Sequence, residues 1–213
     1  MTSAEVANLL ISLSALAIAA TTIWLTVLRP GKVRMTPPKV IYFGPDGGTK
    51  GPQKIYLRAL LYSTAPSGIV IEHVWVKLRR GESQQNFPIW VYGDERLCRG
   101  SGLFVGPSGV ATAHHFLLPT DTAVFEFKPG RYSVEIHATL TGKTNAQLLH
   151  TAELVLSEAE AVAIKEPNTG VYFDWGPEAR AYRAHIETKT IPTPNALKAV
   201  FDSILSDSGV PKP

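Results

Sequence analysis

An uncharged apolar run from Val6 to Leu28, ended by Arg29, Pro30, Gly31, Lys32, Val33 and Arg34, constrains this chain more than any other feature. About 23 residues at about 1.5 Å of rise each are enough to cross a bilayer as one helix. A cleaved signal peptide would begin with basic residues, but Met1 to Glu5 contains no Lys or Arg. Cleavage after Ala17-Ile18-Ala19 would also leave Ala20 to Leu28 on the mature chain. A helix buried in a soluble core would show a polar stripe. Here only Asn8, Ser12, Ser14, Thr21, Thr22 and Thr26 interrupt the apolar surface, and none is charged. Residues 1–34 therefore read as a transmembrane anchor with a basic flank.

Arg29, Lys32 and Arg34 follow the span and only Glu5 precedes it, so the positive-inside bias predicts a cytoplasmic body on an inner or plasma membrane. Trp24 suits an interfacial aromatic anchor. Without residues 1–34 the chain keeps 18 basic against 17 acidic residues, so the basic character is juxtamembrane and meets anionic headgroups. Lys77, Arg79 and Arg80 are close in sequence but form no extended basic stripe, which argues against a nucleic-acid partner. Cys98 is the only cysteine, excluding an intrachain disulfide, and no Asn-x-Ser/Thr acceptor occurs. Arg96 and Arg99 flank that thiol, but no base accompanies it in sequence, so it reads as an ordinary cysteine.

From Lys39 onward, short apolar runs alternate with turn chemistry. Strands are expected at 39–43, 54–63, 69–79, 87–92, 102–105, 110–118, 123–127, 132–141 and 148–156, rich in Val, Ile, Tyr, Phe and Trp. Pro45-Asp46-Gly47-Gly48, Pro66-Ser67-Gly68, Arg80-Gly81-Glu82-Ser83, Pro107-Ser108-Gly109 and Pro129-Gly130 separate them. This spacing predicts a two-sheet antiparallel sandwich over residues 35–190.

Two local resemblances accompany that reading. Phe127-Lys128-Pro129-Gly130-Arg131-Tyr132-Ser133-Val134 places a Tyr after a Pro-Gly turn at the head of an alternating strand. This resembles the corner tyrosine of immunoglobulin-like and fibronectin-like sandwiches, which implies an immunoglobulin-like topology with the hydroxyl bonded back to the backbone. The segment Gly100-Ser101-Gly102 through Thr112-Ala113-His114-His115 resembles the stretch that carries the catalytic histidine in trypsin-like serine proteases, and the resemblance implies His115 as the base. A triad also needs a serine in an oxyanion turn and a buried Asp. The only Asp-Ser-Gly, Asp207-Ser208-Gly209, lies at the carboxy end with no second barrel around it. The expectation is an ordinary hairpin with two histidines on opposite faces.

Adjacent strand histidines grip one ion poorly, and His73, His137, His150 and His185 are scattered, so no metal or cofactor is expected. Gly100 to Gly106 misses a dinucleotide fingerprint, and there is no phosphate loop. Ser157-Glu158-Ala159-Glu160 fits a capping box opening a short helix to about Lys165. Val171 to Pro177 then holds three aromatics, followed by Arg180, Tyr182, Arg183 and His185, reading as a closing strand, turn and strand or as an interface patch. Residues 191–213 are expected to be a linker, an amphipathic helix over 195–206 with Leu197, Val200, Phe201 and Leu205 on one face, and a tail.

The fold class expected is thus mainly β: one N-terminal transmembrane helix, an immunoglobulin-like sandwich and short helices near the C-terminus. The function expected is protein interaction or assembly at a membrane, with a protein partner or a second copy and no catalytic site. The alternative is an enzyme or ligand binder built on the hairpin around His114 and His115, with Asp94 or Asp121 as its carboxylate.

Overall fold

The computed structural model describes residues 2–28, 31–46, 51–119 and 125–189. Helix α1 (Ser3–Ile23) opens with a capping box between Thr2 and Glu5 and runs into one π-helical turn, Trp24–Leu28. Together they span 26 residues, an 18-residue stretch of which has a mean hydropathy of 2.0, and none is buried. At about 39 Å they exceed the roughly 30 Å hydrocarbon core. The hydroxyls of Ser14, Thr21, Thr22 and Thr26 donate to carbonyls four residues back at 2.7–2.8 Å, leaving those donors satisfied without water.

Thirteen strands follow among the described residues: β1 Val33–Met35, β2 Val40–Pro45, β3 Gln53–Ser63, β4 Ile69–Arg80, β5 Ser83–Phe87, β6 Ile89–Tyr92, β7 Cys98–Arg99, β8 Leu103–Val105, β9 Val110–Leu117, β10 Gly130–Leu140, β11 Gln147–Leu156, β12 Thr169–Gly176 and β13 Ala181–Thr188. All pairings are antiparallel. One sheet, here sheet A, runs β13-β12-β2-β3-β9-β6-β7 with β1 also on β3; sheet B runs β11-β10-β4-β5 with β8 also on β4. Strict alternation puts Ile55, Leu57, Ala59 and Leu61 of β3 and Val134, Ile136 and Ala138 of β10 inward. They join one core drawn from both sheets.

Phe43 and Phe173 of sheet A meet at 5.1 Å, and the ring of Tyr132 from sheet B stands edge-on to Phe43 at 5.6 Å. Phe127 stacks on Phe43 at 4.6 Å from outside either sheet. The strand expected at 123–127 is corrected accordingly: residues 125–127 are irregular, and Phe127 fills the core as a plug instead of pairing.

Two other expectations need correction. The run 87–92 is two strands, because Pro88 has no N–H for a ladder: β5 pairs with β4 in sheet B, and β6 pairs with β9 in sheet A. The expected hairpin around His114 and His115 is a crossing between layers, since β8 lies in sheet B and β9 in sheet A. Gly109, at φ +78°, turns the chain there, its N–H bonded to the Gly106 carbonyl at 3.1 Å. The β4–β5 loop behaves as expected, Gly81 supplying φ +55° between the paired Arg80 and Ser83. Ser157 and Glu160 cap α2 (Glu158–Ala163) reciprocally; in place of the short helices expected near the C-terminus, the described residues hold this one, between β11 and β12. The amphipathic helix expected at 195–206 lies outside the described residues.

Candidate functional site

The outer face of sheet A carries an arrangement that depends wholly on register. His185 lies opposite Tyr172, Tyr172 opposite Tyr42, Tyr42 opposite Tyr56, and Tyr56 opposite His115, one ring from each of five adjacent strands. Ring centroids are 5.6 Å apart for Tyr172 and His185, 4.8 Å for Tyr42 and Tyr172, and 4.8 Å for Tyr56 and His115. Such cross-strand aromatic pairs stabilise a sheet; here Tyr42 and Tyr172 are tilted by 55° and Tyr56 and His115 by 47°, while Tyr172 and His185 stack at 16°.

Tyr42 anchors the row. It is 7% exposed despite pointing outward, because its ring lies over Gly44 and Gly170, where any Cβ would collide with it. Its hydroxyl donates to the Pro45 carbonyl at 3.2 Å. Burial, with Tyr172, Asp46 and Glu187 nearby, holds its phenol well above the ordinary range. Burial also raises Tyr56, against Arg58, and raises Tyr172, helped by Glu187 and Tyr56. All three therefore remain neutral hydrogen-bonding rings at neutral pH. Lys54 pairs with Asp46 at 2.7 Å beside the row.

A hollow lies at each end. One of about 280 Å³ is lined by Tyr56, Arg58, Asp94, Arg96, Leu97 and His115. The other, about 400 Å³, lies against Asp174, Trp175, Glu178, Arg183 and His185 on the β12–β13 hairpin. Here His185 Nδ1 meets Asp174 at 3.1 Å, Trp175 packs on Tyr182 at 5.0 Å, and the Tyr182 hydroxyl donates to the Pro38 carbonyl at 2.8 Å. The aromatic and Arg patch expected from sequence is therefore the closing hairpin, with Phe173 buried and Arg183 and His185 outward.

The two adjacent histidines point to opposite faces, as expected. His114 is wholly buried and accepts a 2.9 Å hydrogen bond from Trp90 Nε1 on its Nδ1. That bond leaves the neutral ring's proton on Nε2, which has no partner. Burial, reinforced by His115, holds its pKa down to about 4. His115 is held near the same value, first by burial, then by Lys54 against the opposing pull of Asp46, with Lys189 adding to the depression.

The protease resemblance asks for a carboxylate on the histidine's far nitrogen and a serine in reach. His115 and Asp94 do share the smaller hollow, but Asp94 binds Arg58 at 3.2 Å, and His115 Nδ1 is buried with no partner. No serine lines that hollow among the described residues. Asp121 and Asp207-Ser208-Gly209 lie outside the described residues. Cys98 is exposed on the short edge strand β7, its Sγ 3.9 Å from the Arg96 carbonyl. Among the described residues no three His, Cys, Asp or Glu side chains gather to hold a metal.

Lys77 and Arg79 converge on Glu135 across the outer face of sheet B, at 4.0 and 3.1 Å. His137 joins that carboxylate at 3.0 Å and stacks on Trp75 at 5.5 Å. Arg80 turns away to the Pro129 carbonyl at 3.4 Å. The basic triplet read from sequence is thus split and partly neutralised.

Compared with protein-family models, curated proteins and solved structures, the chain matches none, so no activity comes to it by likeness. The sequence pattern puts Tyr42, Tyr56, Tyr172 and His185 on strands but does not join them. Each sits at the outward parity between inward Ile, Leu, Val, Phe or Ala neighbours, the one signal available in one dimension.

Proposed function

We propose that this chain is a single-pass membrane protein whose immunoglobulin-like β-sandwich works on the cytoplasmic side of an inner or plasma membrane as a protein-interaction or assembly module. The observation that carries this reading is α1 with its π turn: 26 residues, apolar on every side, none buried against the β body. A helix of that kind needs lipid around it. Lys32 and Arg34, just past its end, favour the cytoplasmic orientation. Residues 29–32 reach at most about 14 Å even fully extended, which holds the body at the bilayer surface. The immunoglobulin-like refinement draws support from Tyr132, whose hydroxyl donates to the Lys128 carbonyl at 2.6 Å at the head of β10. The interaction role draws on the half-buried rings of Tyr56, Tyr172 and His115 and the exposed His185 along this face, with Arg58 and Arg183 beside them, since aromatic and Arg side chains supply much of the energy of protein interfaces.

Expression of the full chain in its native cell tests this. The protein should stay with membranes through carbonate and high-salt washes at its full intact mass. Exposed Cys98 should resist a membrane-impermeant thiol reagent until the bilayer is opened. A mature chain shortened by the length of α1 would identify a signal sequence and refute the anchor; labelling in intact cells would reverse the orientation.

A further inference from the structure

We infer that β13 is a self-complementary edge through which two copies of this chain pair antiparallel, extending sheet A across a two-fold axis at His185. This deepens the assembly reading above and rests on it. The backbone sets the first condition. Lys189 N–H donates to the Asn168 carbonyl at 2.9 Å, and Trp175 N–H to the Lys39 carbonyl at 2.9 Å. In an antiparallel ladder these bonds assign alternate residues, so Ala181, Arg183, His185 and Glu187 bond inward to β12. Tyr182, Ala184, Ile186 and Thr188 therefore direct their N–H and C=O groups to the outer edge, where no other strand pairs among the described residues.

Side chains then select one register. With the axis at His185, Ala184 bonds Ile186 of the second copy and Tyr182 bonds Thr188, all outward-directed backbone groups. Arg183 then stands opposite Glu187 of the second copy, twice, in the non-hydrogen-bonded pairs where side chains approach most closely. A slip of two residues one way sets Arg183 against Lys189; the other way sets it against His185. A slip of one residue mismatches the backbone groups and swaps the faces. The charges therefore complement each other only in this register.

Two further observations agree. Ile186 lies opposite buried Val171, on the core side of the sheet, yet is 47% exposed; Ala184 of the second copy would cover it. The ring row His185, Tyr172, Tyr42, Tyr56 and His115 would continue straight through the axis into its counterpart. β13 is also a long, regular edge: it has eight residues, no proline and no bulge, its charges Arg183 and Glu187 being of opposite sign, whereas β7 has two residues and β11 meets β10 at a register shift.

The test uses the full chain in lipid nanodiscs or detergent, followed by sedimentation. The wild type should form dimers. Arg183→Glu alone and Glu187→Arg alone should each weaken dimerisation by at least about tenfold, because each sets like charges opposite each other twice. An equimolar mixture of the two variants should dimerise again, since every pair is then of opposite sign. In a Cys98→Ser background, His185→Cys should oxidise to a disulfide dimer and Thr188→Cys should not. A monomeric wild type overturns the inference, including the case where residues 190–213 cover the edge and removing them releases dimers. Dimers indifferent to both charge reversals and not cross-linked through position 185 overturn it too. A chain that remains in membranes yet monomeric refutes the edge pairing while leaving the anchored reading intact.

Discussion

The outer faces of the two sheets are built from different forces. Sheet A presents aromatic rings in register, anchored by Tyr42 over two glycines. Sheet B presents charges gathered on Glu135, with only Trp75 and His137 stacked beside them. The tyrosines of the first face hold one another by ring packing, with Lys54–Asp46, Arg58–Asp94 and His185–Asp174 at their flanks, whereas the second face is organised around one carboxylate whose partly exposed pairs salt screens. A partner that docks on sheet A would gain apolar and aromatic area, whereas one docking on sheet B would first have to compete with an internal carboxylate.

The comparison breaks most directly at Tyr42. Tyr42→Ala should cost about 3 kcal/mol in chemical denaturation, because it removes a nearly buried ring and opens the space over Gly44 and Gly170. Tyr42→Phe keeps the packing and should cost about 1 kcal/mol for the bond to Pro45. A loss below 1 kcal/mol for the alanine variant would mean that the row is surface decoration.

Acid separates the sheets next. His114 is held near 4 against an ordinary value of 6.5, so between those values the unfolded chain binds more protons than the folded one. Its contribution is fully present above about pH 6.5 and is lost as pH falls through 6.5 toward 4. The loss amounts to about 3 kcal/mol, with His115 adding in the same direction. Unfolding measured from pH 7.5 to 4.5 should show that decline, and His114→Gln, which keeps an acceptor for Trp90, should make it shallower, leaving His115's share. A pH-independent wild type would contradict the buried neutral ring.

Glu135→Gln is the smallest test and the most specific to sheet B. It leaves Lys77, Arg79 and His137 facing one another and should cost about 1 kcal/mol or less at low salt. The difference from wild type should shrink on adding salt, while the Tyr42 variants should not respond. Equal salt dependence in both sets would erase the distinction between the faces.

The apolar helix was legible in the chain alone, because a run with no charge from Val6 to Leu28 leaves no face for a soluble core, and that property is local. So were most strands, the Gly81 loop, the Ser157 cap and the opposite facing of His114 and His115, each set by period or by residues within a few positions. Which strands share a sheet was set by contacts between segments far apart along the chain. Pro88 and Gly109 mark breaks within residues 87–92 and 100–115, but neither says that the chain changes layers there, because that choice depends on partners in β3 and β4. Phe127 shows the same limit: its ring belonged to the core on composition alone, but whether it arrived as a strand or as a plug depended on what stood open beside Phe43. The aromatic row is the extreme case. Alternation turned each ring outward, yet only four successive non-local pairings placed the five rings in one line, and a slip of one residue in any of them would have broken it.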